Sequence, residues 1–108
     1  MKLKNNMNTK EMFVEINNLQ GQINNLRKQI DKGVYNYLKD VIGIESAGSP
    51  ASDSLVGKVV AEDFHWYWNR EMNLITICYC VFRNKWGDFS DEKETNVVFS
   101  VIDKYIEM

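Results

Sequence analysis

Met12, Ile16, Leu19, Ile23, Leu26 and Ile30 are spaced in steps of four, three, four, three and four. That spacing repeats every 3.5 residues, which puts one apolar stripe along a helix facing a single partner. The stripe contains a short internal repeat, INNL at 16–19 and again at 23–26. Ile at one seam position and Leu at the other is the combination that favours a parallel two-stranded coil. Thr9 suits the N-cap, with Glu11 and Met12 opening the first turn. Gly21 costs this helix about 1 kcal/mol relative to Ala, and the flanking Asn17, Asn18, Asn24 and Asn25 are also poor helix formers. A helix with these residues is marginal alone, so its stripe must be buried against something.

Asp31, Lys32 and Gly33 offer a break or kink, after which Val34, Tyr37, Leu38 and Val41 continue a helical period to Ile42. Gly43 then serves as the C′ residue. Residues 45–54, ESAGSPASDS, read as a flexible connector. One domain is expected from 108 residues, with a helical half at 9–43, a connector at 44–54 and a β half at 55–108.

The β half divides into a strand over 55–68, a turn over 69–73 and a second strand over 74–85 whose core, ITICYCVF, is β-branched and aromatic. The segment 85–94, KWGDFSDEKE, reads as a loop. Residues 95–106 read as a third strand that can instead finish as a helix. Strands joined by so short a turn form an antiparallel hairpin. The fold class is therefore α+β: a long N-terminal amphipathic helix, in one piece or two, followed by an antiparallel meander of three or four strands. Alternation puts Phe64, Trp66 and Trp68 on one face of the first strand, with His65 and Tyr67 on the other. The second strand is apolar on both faces, and the third reads Val97, Phe99 and Val101 against Val98 and Ile102. A sheet with two apolar faces and one helix to cover them needs a second copy, so a homo-oligomer is expected, a dimer or higher.

The net charge of −2 without a Lys/Arg-rich run argues against a DNA-binding protein, although two or three cations suffice for a small phosphorylated ligand. No apolar run has the length of a membrane span, and the polar N-terminus MKLKNNMNTK has no apolar signal core. Cys78 and Cys80 share one side of a strand and are poorly placed to bond each other, so free thiols and a reducing cytoplasm are expected. No metal site is expected, because C-x-C with one histidine lacks the second pair of a tetrahedral set. No catalytic site or cofactor is expected either. His65 is the sole histidine, neither cysteine has a basic neighbour in sequence, and Glu62 and Asp63 fall on opposite faces of a strand.

The constellation that points to a ligand is aromatic and cationic. Trp66, Trp68, Phe82 and Trp86 accompany Arg70, Arg83, Lys85 and Asn84. Aromatic faces stack bases, and the guanidinium fork binds phosphate in a bidentate manner. The same aromatics also serve as core or interface anchors. Arg27 and Lys28 flank the seam at Leu26. They are either a solvated pair beside a coil or, where several copies converge, a second anion site.

A short chain with a helical N-terminus and an aromatic β half resembles, in layout, the anti-Thoeris sponge proteins of phages, the first Thoeris anti-defence family. The matching features are the amphipathic helix carrying Arg27 and Lys28 and the segment CYCVFRNKWGDF, where Phe82 is followed by Arg83 and Asn84. The likeness spans most of the chain. It implies a non-enzymatic oligomer in the host bacterial cytoplasm that sequesters a signalling nucleotide, a glycocyclic ADP-ribose made by a defence TIR enzyme. It also implies separate basic sites between subunits for cyclic oligonucleotides. Carried over, Phe82 stacks a base, Arg83 or Arg70 meets the pyrophosphate, and Arg27 and Lys28 match the second site. The rival expectation is a protein-binding inhibitor or adaptor that uses the aromatic hairpin as its partner surface.

Overall fold

The computed structural model describes residues 8–46, 55–84 and 90–108. Helix α1 (Thr9–Val41) is followed by strand β1 (Ile44–Glu45), β2 (Val59–Asn69), β3 (Leu74–Phe82), β4 (Ser90–Val97) and helix α2 (Phe99–Ile106). The four strands form one sheet in the order β1-β2-β3-β4. β1 runs parallel to β2, and the other pairs are antiparallel. The α+β class and the long helix followed by a mostly antiparallel sheet are as expected.

α1 is one uninterrupted helix of 33 residues, about 50 Å at 1.5 Å per residue. Its N-cap is Asn8 rather than Thr9. The Asn8 Oδ1 accepts from the Glu11 backbone N–H at 2.8 Å, and the Asn8 side-chain amide donates to Glu11 Oε1 at 2.8 Å. The cap thus sits one residue earlier than predicted, with its side chain bonded to both the backbone and the side chain of Glu11. Of the two alternatives the one-piece helix is observed, and the break offered at Asp31–Gly33 does not occur. Gly33 is buried inside the helix, where it lets α2 come close. The end is as expected. Gly43 has φ +97° and its N–H bonds to the Leu38 carbonyl at 2.9 Å, the left-handed geometry that glycine adopts without a Cβ penalty.

The β half is corrected in its boundaries. β2 starts at Val59, and β3 ends at Phe82. The charged segment read as a loop supplies most of β4, which begins at Ser90. An edge strand tolerates Asp91, Glu92, Lys93 and Glu94 because one of its sides meets water. The third strand read over 95–106 ends at Val97, and the remainder takes the helical finish that the sequence also allowed, as α2. Phe99, Ile102 and Ile106 recur at helical spacing, and Ile102 is buried. The face assignment that put Phe99 and Val101 beside Val97 is lost with it. The connector begins after β1, a short strand that sequence reading assigned to it, and its residues 47–54 lie outside the described residues.

The main core joins Val34 and Leu38 of α1, Val59 of β2, Ile75, Ile77 and Val81 of β3, Val97 of β4 and Ile102 of α2. Only the C-terminal third of α1 takes part. Among the seam residues, Ile16, Leu19, Ile23 and Leu26 are 47–59 % exposed. The far face of the sheet is more polar than predicted. Thr76 and Cys78 of β3 lie opposite Asn96 and Glu94 of β4, and Cys80 opposite Glu92. Apolar surface that lacks a cover is therefore concentrated on α1 rather than on that face.

Candidate functional site

The β2–β3 hairpin turns over 70–73. Asn73 takes φ 53° there, a left-handed conformation that asparagine tolerates. Asn69 holds the turn by accepting from the Met72 N–H at 3.1 Å, and its amide donates to Thr76 Oγ1 at 3.2 Å. Thr76, fully buried, donates onward to Asn96 Oδ1 at 2.8 Å. This chain of bonds pins the hairpin tip to β4 and fixes where the Trp68 and Arg70 side chains emerge.

Alternation along β2 sends Trp66 and Trp68 to the helix-covered side, and Trp68 lies opposite Ile75 in register. Trp66 meets α1. Its indole N–H donates to Asp31 Oδ1, and the Arg27 guanidinium carbon lies 5.7 Å from its ring centroid. Arg27 and Asp31 are four apart on the helix and so share one face. Trp68 is 55 % exposed, and the Arg70 guanidinium carbon lies 4.6 Å from its ring centroid. Both distances are within the range where a cation is attracted to the ring quadrupole. Beneath the two indoles is a cavity of about 320 Å³ walled by Ile30, Ile75, Phe99, Ile102 and Ile106, with Asp103 the charged residue among the described residues that line it. Neither arginine lines the cavity. Each is held on an indole that does.

The residues singled out from sequence thus fall into two places. Arg27, assigned to a second anion site, lies on Trp66 as Arg70 lies on Trp68, the two indoles that wall the cavity. Lys28 is exposed and does not line it. Phe82, Arg83 and Asn84 lie seven and more residues along β3 from Ile75, about 23 Å away at 3.3 Å per residue. Phe82 is 2 % exposed and packs with Leu55 and Val60, so neither ring face is open to stack a base. The Arg83 guanidinium is engaged by Asp91, with Nε to Oδ1 at 3.1 Å and Nη2 on the same oxygen. Hydrogen bonding to Arg83 lowers the Asp91 carboxyl below the usual range. Arg83, Asp91 and Lys93 border a more open concavity of about 510 Å³. Trp86, with Lys85, lies outside the described residues.

The cysteines are free. His65 lies opposite Cys78 in register, with Glu94 on its other side. That row has the residue types of a nucleophilic site but the wrong electrostatics. Burial, then Glu94 and Glu92, raise the Cys78 thiol, and burial and then Asp63 raise Cys80. A raised thiol holds less thiolate, the form that attacks. Among the described residues no cluster of His, Cys, Asp and Glu is arranged to hold a metal ion, and no helix is long and apolar enough to cross a membrane.

The cavity has two signals in the sequence, the aromatic alternation of β2 and Arg70 at the turn. Its remaining wall was illegible. Phe99, Ile102 and Ile106 join it only because 99–106 folds as a helix, and Ile30 only because α1 runs unbroken past it. Comparison with known protein families, characterised proteins and solved structures finds no match.

Proposed function

We propose that this chain is a non-enzymatic binding protein that acts as a homo-oligomer in the host bacterial cytoplasm. It takes up a small nucleotide-derived signal of the cyclic ADP-ribose type and holds it without cleavage, as the resemblance of its sequence layout to the phage anti-Thoeris sponge proteins implies. DNA and membranes are not its partners. The observation that supports this reading is Arg70 stacked at 4.6 Å on an exposed Trp68, at the edge of an apolar cavity. A nucleobase has apolar faces and carries its charge on the attached phosphates. An indole takes the first and a guanidinium the second. A volume near 320 Å³ is at the lower end for ligand pockets. It suits a base, leaving ribose and phosphate outside within reach of Arg70. The ligand reading therefore moves from Phe82 and Arg83 to Trp68 and Arg70. Raised thiols on Cys78 and Cys80 favour binding over nucleophilic attack.

Titration with cyclic ADP-ribose, read by tryptophan fluorescence and thermal melting, tests it. Quenching, a higher Tm and recovery of intact ligand after denaturation are the expected results. A chemically altered ligand would make the protein an enzyme, and an unchanged Tm at saturating nucleotide would end the nucleotide reading.

One observation favours a second reading, a protein-binding adaptor. Trp68, Met72, Val98 and Phe99 are each 40–57 % exposed, and Asn96 bonds Met72 beside them. Aromatic and Met side chains are enriched in interfaces. That reading expects a host protein to co-purify with the wild-type chain and to be lost with Trp68→Ala, with no nucleotide effect.

A further inference from the structure

The heptad stripe does not stop at Ile30. The same positions continue through Gly33, Tyr37 and Asp40, and there the chain covers its own seam. A Cβ on Gly33 would meet Ile106 and Ile102 of α2. Tyr37 packs edge-on against Tyr105 at 5.6 Å, and the Tyr105 hydroxyl donates to Asp40. Asn36 adds a bond to the Tyr105 carbonyl at 3.0 Å. One uninterrupted helix therefore carries one stripe, filled by α2 from Gly33 onward and open from Met12 to Leu26.

This excludes the parallel coil that the Ile/Leu pattern favours. In a parallel pair the seams face each other along their whole length, and both copies of α2 would have to occupy the space between them. Antiparallel helices avoid the conflict, because each open segment meets the other open segment while the two bodies lie at opposite ends. The spacing permits it. Steps of four, three, four, three and four read the same in both directions. Reversal sets Met12 against Ile30, Ile16 against Leu26 and Leu19 against Ile23, each large apolar residue facing another. The flanking positions are compatible too. On one flank Phe13 meets Arg27 and Gln20 meets its own copy. On the other Glu15 meets Gln29 and Gln22 meets its own copy. No like charges are opposed.

We infer that two copies of this chain pair through the open stripes of α1 in antiparallel register, and that the second copy completes the cavity. The last layer sets Met12 of the second copy on Ile30, a wall residue, and sets its Phe13 beside Arg27, which already lies on Trp66. Arg27 is then held between two aromatic rings. The two Arg27 residues lie far apart, so they form no convergent anion site. The inference rests on the homo-oligomeric part of the reading above and is independent of its nucleotide.

Lys10 and Lys32 are both exposed on α1. They lie 22 residues apart, about 33 Å along the helix, too far for a short amine cross-linker within one chain. In the antiparallel pair they stand at the same level on the outer faces of the two helices, about one helix spacing of 8–10 Å apart plus the helix radii, within reach of an amine cross-linker. Sedimentation of the full chain should give twice 12.6 kDa, and cross-linking with mass spectrometry should join Lys10 to Lys32. Ile23→Glu, at an exposed position, should halve the mass and abolish that link while the sheet keeps its circular dichroism. A monomeric wild type, or a dimer giving Lys10–Lys10 links without Lys10–Lys32, would overturn the inference. Nucleotide binding by a monomer would overturn it as well while leaving the ligand site intact. A cross-linked antiparallel dimer that binds no nucleotide would uphold it and remove the ligand instead.

Discussion

Gly33 and Ile106 meet so closely that a Cβ on the glycine would stand 2.5 Å from Ile106 Cγ1 and 3.3 Å from the Ile102 carbonyl oxygen. Gly21, on the same helix, has nothing within 4 Å of that position. One substitution should then have opposite effects at the two sites. Gly21→Ala gains roughly 1 kcal/mol of helix propensity. Gly33→Ala gains the same but forces α2 away, an overpacking cost of about 1–3 kcal/mol. Thermal unfolding should show a higher Tm for the first and a lower one for the second.

Phe82 and Trp68 separate packing from recognition. Phe82→Ala empties a buried position beside Leu55 and Val60 and should destabilise the fold by about 3–5 kcal/mol. Trp68→Ala removes an exposed ring and should leave the Tm nearly unchanged while abolishing the fluorescence response to nucleotide. The Arg70→Ala variant should bind nucleotide roughly ten- to a hundredfold more weakly, the loss of one charged hydrogen-bonding group. Arg83→Ala should leave nucleotide affinity unaltered. Calorimetric titration of the four variants checks the set.

Thr76 should be costly to replace with an apolar residue. Its hydroxyl accepts from Asn69 and donates to Asn96 inside the sheet. Thr76→Val keeps the shape and breaks both bonds, which should cost about 1–3 kcal/mol. Urea unfolding measures this, with the slope unchanged because the fold is the same.

The thiols and tyrosines set the alkaline limit. Cys78 and Cys80 are raised chiefly by burial. Tyr105 is raised chiefly by its bond to Asp40. A group with a raised folded-state pKa contributes stability below its unfolded value and loses it as pH rises through the folded one. The Tm should therefore decline above about pH 8.5, where an unfolded thiol ionises. Replacing both cysteines with alanine should flatten the first part of that decline. At about pH 8, near that same unfolded value, iodoacetamide should label the folded chain more slowly than the urea-unfolded chain.

The sequence by itself determined the kinds of element and their order. A 3.5-residue period is a helical stripe wherever it occurs, and a β-branched run such as ITICYCVF is a strand. Gly43 ended the helix because its conformation is a local property. The two indoles and Arg70 were also legible, since alternation and a turn are read within a few residues. Tertiary structure decided whatever depended on partners distant in the chain. Asp91 to Glu94 became a strand because β3 offered an edge, and 99–106, left open between strand and helix, packs as a helix with Ile102 and Ile106 against Gly33. Gly33 left the helix open between one piece and two because local propensity records the cost of a missing side chain and not the approach it permits. Phe82 read as a platform because an aromatic beside an arginine looks alike in sequence whether its face is buried or open, and burial is fixed only when Leu55 and Val60 close over it. The direction of the α1 seam had the same cause. Its residues spell a coil, but only the covering of Gly33, Tyr37 and Asp40 by α2 limits where a second helix can lie.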